Sequence, residues 1–349
     1  MSNRVLMGGN VAIAEGAILA GCHAYFGYPI TPQNEILEQM AKRMPEEGRV
    51  FVQTESELAA INMVYGATAS GCRAMTSTSS PGFSLQQEGI SYMSGAQLPA
   101  VCVNVMRGGP GLGNIGGAQG DYFQCTKGGG HGDYRLINLA PASVQEMMDF
   151  TMLAFELADK YRNPVLIVSD GHLGQAMEPV VMRDRVKDLP AKPWAVAGNP
   201  GRPKNVINSF EMAPANFAPR IQALLDKFEE MRRNEVRFEA IGVDDASLVI
   251  VAYGSAARSA MTAQQIARQK GLKVGLMRPI TLFPFPYDAL TRLADKKVDF
   301  LVAELSSGQM IEDVKLAAGC NVRVELVNKC GGLPLPAEEI LAAVEKMAK

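Results

Sequence analysis

The stretches AVCVNVM at residues 100–106 and VLIVS at residues 165–169 consist almost entirely of apolar residues. Strands of this composition are typical of a parallel sheet that helices cover on both faces. Outward from them, short apolar runs alternate with helical stretches through the first half of the chain, which predicts an α/β fold. The other predicted strands are Arg49–Gln53, Arg73–Ser79 and Leu136–Leu139, and the predicted helices are Asn10–Cys22, Thr31–Met44, Ser56–Gly71, Phe83–Ala96 and Ser143–Tyr161.

A second alternation begins at Ala246 and predicts a smaller α/β domain of about 100 residues. The chain before it is rich in proline and turn residues. We therefore predict a first domain over 1–180, an extended linker with one helix over 181–244, and a second domain over 245–349. The linker helix is predicted at Arg220–Arg237, the strands of the second domain at Leu248–Tyr253, Lys273–Met277, Phe300–Glu304 and Val322–Leu326, and its helices at Ser255–Lys270, Tyr287–Ala294, Met310–Ala318 and Pro336–Lys349.

The composition is that of an ordinary globular protein, with 47% hydrophobic and 20% charged residues in a chain of 349. The net charge of −2 argues against a nucleic-acid-binding protein, which would carry an excess of basic residues. No apolar stretch approaches the roughly 20 residues of a transmembrane helix. Asn10 and Glu15 interrupt the apolar N-terminus, which we interpret as an amphipathic helix rather than a signal peptide. We expect a cytoplasmic protein without a membrane partner.

The six cysteines and three histidines do not have the spacing of a metal site. No two cysteines form a C-x-x-C pair, so we expect reduced thiols in the core and no iron–sulfur cluster held by this chain. Three scattered histidines make a metal site improbable, and none is predicted. We interpret His23 and His172 as structural residues.

Two loops that follow predicted strands or lead into helices contain candidate site residues. In Gly27–Pro32 (GYPITP), two prolines flank Thr31, and the pattern predicts Thr31 as a helix N-cap with Pro32 at the first helical position. A rigid loop with a cap would explain this motif, but such loops are also where α/β proteins bind ligands. In Thr54–Ala60 (TESELAA), Glu57 leads directly into an apolar helix. Glu57 could compensate the helix dipole, or it could be a buried carboxyl that shares a proton.

Two glycine-rich segments contain charged residues. In Met106–Asn114 (MRGGPGLGN), Arg107 follows a buried strand and is well placed to bind a carboxylate or phosphate. The glycines do not open a helix in the manner of a dinucleotide-binding fingerprint, and the chain has no Walker A pattern. Lys127–Tyr134 (KGGGHGDY) contains His131, for which no catalytic partner can be identified, so we favour a loop that permits close chain contacts.

In this order, the segments resemble those of the α subunit of the 2-oxoacid:ferredoxin oxidoreductases over nearly the whole chain. The resemblance rests on GYPITP at 27–32, ESELAAIN at 55–62, TSTSSPGFSLQQEGI at 76–90, MRGGPGLG at 106–113, VAYGSAARSA at 251–260 and AELSSGQM at 303–310. KGGGHGDYR at 127–135 looks most like the branched-chain (2-oxoisovalerate) members.

The resemblance implies a fold and an activity. The first domain would be the pyrimidine-binding domain of the thiamine diphosphate fold, and the second would resemble the transketolase C-terminal domain. The complex would decarboxylate a 2-oxoacid, most plausibly 2-oxoisovalerate, with coenzyme A, giving acyl-CoA, CO₂ and reduced ferredoxin. A β subunit would hold the diphosphate and Mg²⁺, and other subunits would carry the iron–sulfur clusters. The site would therefore form between chains of a hetero-oligomer.

The resemblance also implies residue roles. Glu57 matches the glutamate that hydrogen-bonds the thiamine pyrimidine ring, and Tyr28, Pro29 and Ile30 match cofactor-binding positions. Thr31 and Arg107 match the residues that bind the 2-oxoacid. The family's GDG magnesium motif has a look-alike here in Ser169-Asp170-Gly171, with Asn199 downstream. We interpret it as a chance similarity, because the first glycine is missing.

Three alternatives stay open on the sequence. The chain could belong to a 2-oxoglutarate-specific enzyme of the same family. It could be the β-type subunit of a non-redox, thiamine-dependent 2-oxoacid dehydrogenase. It could also be a non-catalytic scaffold subunit.

Overall fold

The computed structural model describes residues 4–199 and 201–348, and its largest sheet has seven strands. Six of its strands are parallel to one another. The seventh, Thr281–Phe283, comes from the second half of the chain and pairs antiparallel with their edge strand, Ile137–Leu139. With strands numbered in chain order, the order across the sheet is β12 (Thr281–Phe283), β6 (Ile137–Leu139), β7 (Val165–Asp170), β5 (Val101–Met106), β4 (Ala74–Thr78), β2 (Ala24–Gly27) and β3 (Val50–Gln53).

Helices cover both faces of this sheet, as its buried strands predict. Two groups of helices pack separately, one containing the first, second and sixth helices and the other the third and fourth. The helices of this part of the chain are α1 (Gly9–Leu19), α2 (Asn34–Glu46), α3 (Glu57–Ala69), α4 (Ser80–Gly95), α5 (Tyr122–Thr126), α6 (Val144–Tyr161) and α7 (Gly171–Gln175).

A second sheet of five strands lies in the C-terminal part of the chain. Its order is β14 (Val324–Asn328), β13 (Asp299–Glu304), β10 (Leu248–Ala252), β11 (Val274–Pro279) and β9 (Phe238–Ile241), with only β9 antiparallel to its neighbour. The helices that accompany it are α9 (Gly254–Gln269), α10 (Tyr287–Asp295), α11 (Met310–Ala318) and α12 (Ala337–Met347).

The N-terminal prediction is only partly right. Residues Arg4–Gly8 form a strand, β1, that pairs antiparallel with β8 (Met177–Val181). The helix α1 that follows is buried along nearly its whole length and is not amphipathic. Its two polar residues face α2: the Asn10 amide donates to Glu35, and the Glu15 carboxylate accepts from Gln39 and Arg43. The Asn10 amide nitrogen and the Glu15 carboxylate are paired in this way, whereas Asn10 Oδ1 has no partner among the described residues. Because most of these polar atoms are paired, a helix that contains them can lie in the core.

Several other boundaries differ from the predictions. The linker helix α8 spans Pro214–Asn234, whereas the prediction was Arg220–Arg237, so the helix begins earlier, contains Pro219 and ends earlier than predicted. Helix α4 begins at Ser80 rather than at the predicted Phe83, so Pro81 lies in its first turn, where proline is tolerated because its missing N–H would have no helical partner. Strand β9 lies in the predicted linker but pairs with β11 of the second sheet. Strand β12 lies in the predicted second domain but pairs with β6 of the first sheet. The division at 180 and 244 itself stays a prediction.

Hydrogen bonds join the two parts of the chain across a buried contact. The Gln119 backbone N–H donates to the Leu305 carbonyl, and its side chain accepts from the Leu305 N–H (2.9 Å) and donates to the Tyr253 carbonyl (2.9 Å). The buried Asp313 carboxylate accepts from the Tyr122 hydroxyl and the Lys127 ammonium. The second sheet therefore has a fixed position relative to the first.

The prediction that the thiols lie in the core is wrong for part of the set. Cys22, Cys102 and Cys125 are buried, whereas Cys320 and Cys330 are exposed and Cys72 is partly exposed. Burial disfavours the thiolate and raises the pKa of Cys22 and of Cys102 to about 12. The exposed cysteines follow helix or strand ends in turns, which their apolar or small sequence neighbours did not indicate.

We expect alkylation of the native protein at pH 8 to modify Cys320 and Cys330 within minutes and to leave Cys22, Cys102 and Cys125 unmodified, because only a thiolate reacts. Peptide mass spectrometry after a short iodoacetamide pulse measures this. Unfolding in guanidinium chloride before the pulse should make all six equally reactive. Early labelling of Cys22 or Cys102 in the native protein would contradict the described core.

Candidate functional site

The predicted site residues follow the carboxyl ends of the parallel strands β2, β3 and β5, which lie at one edge of the sheet with β4 between β2 and β5. Tyr28–Thr31 follows β2, Glu57 follows the loop after β3, and Arg107 follows β5 directly. The Thr54 hydroxyl donates to the Gly27 carbonyl (3.2 Å) and ties the first two of these loops together. Ligands of open α/β sheets bind at this edge, so the placement supports a shared site.

Glu57 is the first residue of α3 and is only 4% exposed. The Ser56 hydroxyl caps the helix by accepting a hydrogen bond from the Ala59 N–H, so Glu57 is not needed as the cap. Among the described residues, the only hydrogen bond to its carboxyl group comes from the Thr78 hydroxyl, at a long 3.5 Å. A buried carboxyl with spare acceptor capacity is suited to binding a donor from a ligand.

Gly82, in the first turn of α4, lets the chain pass close to this carboxyl group. A Cβ atom at position 82 would lie 2.2 Å from Glu57 Oε1 and 2.1 Å from Thr78 Oγ1. The glycine is therefore required by the close approach of the helix to Glu57. Sequence pattern does not reveal a role for Thr78 or Gly82, because their proximity to Glu57 arises only in the folded sheet.

Arg107 is a buried cation that has no counter-ion among the residues that the structure describes. The residue is only 7% exposed. Its guanidinium donates to two neutral acceptors, the Thr31 carbonyl (2.7 Å) and the Leu112 carbonyl (2.9 Å). Its Nε atom is buried and has no partner within the described ranges, and no carboxylate of those residues lies within 4 Å of the guanidinium. Burying an unpaired charge is costly, so this arrangement favours a site that receives an anionic ligand.

The prediction that Thr31 caps α2 is wrong. The helix begins at Asn34, after a turn in which the Gln33 N–H donates to the Ile30 carbonyl. Thr31 is exposed instead, its carbonyl oxygen binds Arg107, and its hydroxyl accepts a long hydrogen bond from the Asn34 amide (3.4 Å). The structure thus brings Thr31 and Arg107 into direct contact and leaves the Thr31 side chain accessible.

A cavity of about 580 Å³ opens beside Thr31. Its wall contains no lysine or arginine, and its one acidic residue, Glu35, accepts hydrogen bonds from Asn10 and Gln175. His172 lies against the backbone of Gly117 in this wall, and its buried Nε2 atom has no partner among residues 4–199 and 201–348. The lining residues are Thr31, Pro32, Glu35, Ile115, Gly116, Gly117, Gly171, His172, Gln175 and Ala176.

The remaining predicted positions are less enclosed. Tyr28 and Pro29 are exposed and Ile30 is half-buried, and they extend between β2 and Thr31 at the mouth of the site. Glu57 and Arg107 do not bond to each other. The start of α4 lies between them, because Gly82 contacts Glu57 while the Ser80 hydroxyl accepts from the Arg107 backbone N–H (3.0 Å).

The other charged segments do not join the site. Asp170 caps two helices, accepting from the His172 and Leu173 N–H groups and from the Ser255 N–H, so its oxygens are used in the fold. His131 is exposed, and Lys127 pairs with Asp313. In the parts of the chain that are described, no three His, Cys, Asp or Glu side chains could together hold a metal ion. No described helix is long and apolar enough to cross a bilayer.

The sequence matches two protein-family models. Residues 15–232 match the model for the thiamine diphosphate-binding domain of pyruvate flavodoxin/ferredoxin oxidoreductase. Residues 246–340 match the model for core domain II of pyruvate:ferredoxin oxidoreductase. These two matches confirm the family resemblance in both halves of the chain.

Curated relatives agree with these matches. The ketoisovalerate oxidoreductase subunits VorB of Methanothermobacter thermautotrophicus and Methanothermobacter marburgensis are 53% and 54% identical to this chain, over 97% of both chains in each case. The 2-oxoglutarate synthase subunit KorA of Methanocaldococcus jannaschii is 38% identical over 97% of this chain and 98% of its own. The greater likeness to ketoisovalerate enzymes agrees with the wording of the 127–135 loop.

Solved structures share the fold. The 2-oxoglutarate:ferredoxin oxidoreductase of Magnetococcus marinus superposes with a TM-score of 0.90 at 27% identity, over all of this chain and 66% of that one. A split-gene transketolase superposes with a TM-score of 0.60 at 14% identity over 97% of this chain and 96% of its own, which shows a shared fold. The chain belongs to the 2-oxoacid:ferredoxin oxidoreductase family and is a subunit of an oxidoreductase that uses ferredoxin as its electron acceptor.

Proposed function

We propose that this chain holds the pyrimidine half of thiamine diphosphate at Glu57 and binds the carboxylate of a 2-oxoacid at Arg107 and Thr31. The complex would convert 2-oxoisovalerate and coenzyme A into acyl-CoA and CO₂, and two electrons would leave to ferredoxin. The observation that carries the proposal is the buried Arg107 guanidinium, which has only neutral acceptors within the fold. A substrate carboxylate would supply the missing negative charge.

The residues around Glu57 fit the cofactor. Its carboxyl group is buried, has spare acceptor capacity, and lies in a cradle that a side chain at Gly82 would fill. The chemistry that thiamine diphosphate supplies when bound is nucleophilic attack on the 2-oxo carbon and uptake of the electron pair released with CO₂. Glu57 accepts a hydrogen bond from the pyrimidine ring and shares its proton, while Tyr28, Pro29 and Ile30 contact the same ring.

Arg107 and Thr31 orient the substrate. The guanidinium binds the 2-oxoacid carboxylate, and the accessible Thr31 hydroxyl offers a second hydrogen bond beside it. Because the Thr31 carbonyl itself binds Arg107, the two residues keep a fixed spacing. Fixed positioning of this kind lowers the entropic cost of reaching the transition state.

The cavity beside Thr31 supports a substrate whose side chain is uncharged. Arg107 is not part of the cavity wall, and it adjoins the cavity through its hydrogen bond to the Thr31 carbonyl. No lysine or arginine lines the cavity, and the apolar side chains of Pro32, Ile115 and Ala176 face a space large enough for a branched aliphatic group. The second carboxylate of 2-oxoglutarate would lie near Glu35 without a cation to bind it. The identity of 53–54% to ketoisovalerate enzymes points to the same substrate.

A partner subunit would complete the site. Leu112 (81% exposed) and Ile115 (66% exposed) extend from the glycine loop at its mouth, and Tyr28 and Leu58 are also exposed there. Apolar side chains grouped around a site are typical of a surface that another chain covers. We propose that this partner holds the diphosphate and Mg²⁺, and that iron–sulfur clusters in further subunits pass the electrons to ferredoxin.

Reconstitution of the complex tests the proposed function. With coenzyme A and a viologen dye, and without lipoamide, 2-oxoisovalerate should give the highest kcat/KM, ahead of pyruvate, indolepyruvate and 2-oxoglutarate. Preference for 2-oxoglutarate would indicate a second cation contributed by the partner. Dependence on lipoamide would favour the non-redox dehydrogenase, and substitutions at Glu57 without effect would favour a scaffold subunit.

Replacing Gly82 by alanine should lower turnover by about 10-fold or more, because the new methyl group cannot coexist with the present position of the Glu57 carboxyl. Steady-state assay of the complex measures this. Gly66→Ala is a matched control, since Gly66 lies in α3 with nothing within 4 Å of an added Cβ. Full activity of Gly82→Ala would show that Glu57 tolerates displacement.

A further inference from the structure

Arg107 depends on the loop that follows it, residues 108–117, for one of its two acceptors. The Leu112 carbonyl in this loop accepts from Arg107 Nη2, and Arg107 also forms an isolated β-bridge with Gly117. Six of the ten residues from 108 to 117 are glycine, so the loop has little intrinsic preference for one conformation. Hydrogen bonds to specific partners are therefore needed to hold the loop in one conformation.

Asn114 closes the loop on itself. Its backbone N–H donates to the Gly108 carbonyl (2.8 Å), and its side-chain oxygen accepts from the Gly116 N–H (2.8 Å). The Gly108 N–H donates to the Gly116 carbonyl (2.9 Å) and completes the neck of the loop. Leu112 lies inside this closed segment.

Asn114 also attaches the loop to the second half of the chain. Its amide donates to the Gly331 carbonyl (2.7 Å), in a turn after β14 that includes Gly332. A Cβ at position 332 would lie 2.4 Å from Asn114 Oδ1 and 3.0 Å from the Gly116 Cα. The two turns therefore interlock only because a glycine occupies position 332.

This contact is not part of a core. Asn114 and Gly331 are exposed, and Gly116 and Gly332 are half-buried. An exposed hydrogen bond adds little to global stability, so this contact can be lost without unfolding the chain. Its effect is on the position of the loop.

We propose that Asn114 is a positioning residue through which the Gly331–Gly332 turn holds loop 108–117, and with it the Arg107 guanidinium, in the arrangement that binds the 2-oxoacid carboxylate. The proposal rests on the proposed function of Arg107. A turn in the second half of the chain thereby influences the affinity for the substrate. Loss of the anchor weakens substrate binding and leaves the chemical step of bound substrate largely unchanged.

The test uses the reconstituted complex and the variants Gly332→Ala and Asn114→Ala. We expect each to raise the KM for the 2-oxoacid at least 5-fold, with kcat within 2-fold and the KM for coenzyme A unchanged. Gly271→Ala controls for backbone strain, because Gly271 has a similar φ (+81° against +84° at Gly332) and nothing within 4 Å of an added Cβ. An equal rise in KM in Gly271→Ala would overturn the proposal.

Two further measurements separate this proposal from the assignment of Arg107. Hydrogen exchange should show faster exchange of peptides that cover 107–117 in Gly332→Ala and Asn114→Ala, but not in Gly271→Ala, whatever Arg107 binds. Combined with Arg107→Ala, Gly332→Ala should add no further rise in KM, because it acts through Arg107. Unchanged exchange, or additive effects, would refute the positioning role. A normal KM in Arg107→Ala alone would instead refute the proposed function.

Discussion

Glu57→Gln should lower the turnover of the reconstituted complex by about 10²–10⁴, the usual range for a group that takes part in proton transfer. Glutamine keeps the shape of the side chain and its contact with Thr78, but it cannot share a proton with the cofactor ring. Glu57 is buried and lies against Gly82, so its carboxyl group is held in one position in the site. Steady-state reduction of a viologen dye measures the loss.

Glu55→Gln is the matched control for this experiment. Glu55 is two residues away in the same loop, but it is exposed, and its side chain makes no hydrogen bond to another residue of the ranges 4–199 and 201–348. We expect its variant to stay within about 2-fold of the wild type, as solvated surface charges usually do. Equal activities of the Glu57 variant and the wild type, at saturating cofactor, would rule out the proposed role of Glu57.

Arg107→Ala should raise the KM for the 2-oxoacid by about 10- to 100-fold, since a hydrogen bond to a charged group contributes about 1.5–3 kcal/mol. The KM for coenzyme A should change much less. Arg107→Lys should recover part of the affinity, because an ammonium keeps the charge but loses the planar fork of the guanidinium.

Thermal unfolding provides an independent check on Arg107. Its charge is buried against two carbonyl groups only, so its removal relieves an uncompensated cation. We expect the Tm of Arg107→Ala to be equal to or above that of the wild type, a sign that the residue serves binding rather than the fold. A large drop in Tm together with equal rises in both KM values would contradict carboxylate binding.

Much of the fold and of the site follows from sequence pattern. The apolar runs around Val103 and Ile167 are correctly predicted as buried strands. For Glu57 the pattern left two interpretations open, and the structure agrees with the buried carboxyl. Burial of such segments can be predicted locally, because the spacing of apolar residues along a segment indicates which of its faces are buried. The family resemblance then supplied roles that no pattern could give.

The errors have a common physical origin. Thr31 has the sequence of a cap, but the Arg107 guanidinium, 76 positions away, binds its carbonyl, and the helix starts later. Likewise, Gly332 and Asn114 meet only because two distant turns pack together. Contacts between remote segments override local preference, and a single sequence does not reveal them.

The short strand β12 has a consequence for how the chain is made. Until Thr281–Phe283 leaves the ribosome, the outer edge of β6 has no partner strand. At a synthesis rate of about 5–20 residues per second, this edge stays unpaired for on the order of ten seconds after β6 emerges. An unpaired edge is a template for association with other nascent chains. Expression of a fragment that ends before residue 281 should therefore yield aggregates rather than an isolated half of the enzyme, and biogenesis should depend on chaperones that shield that edge.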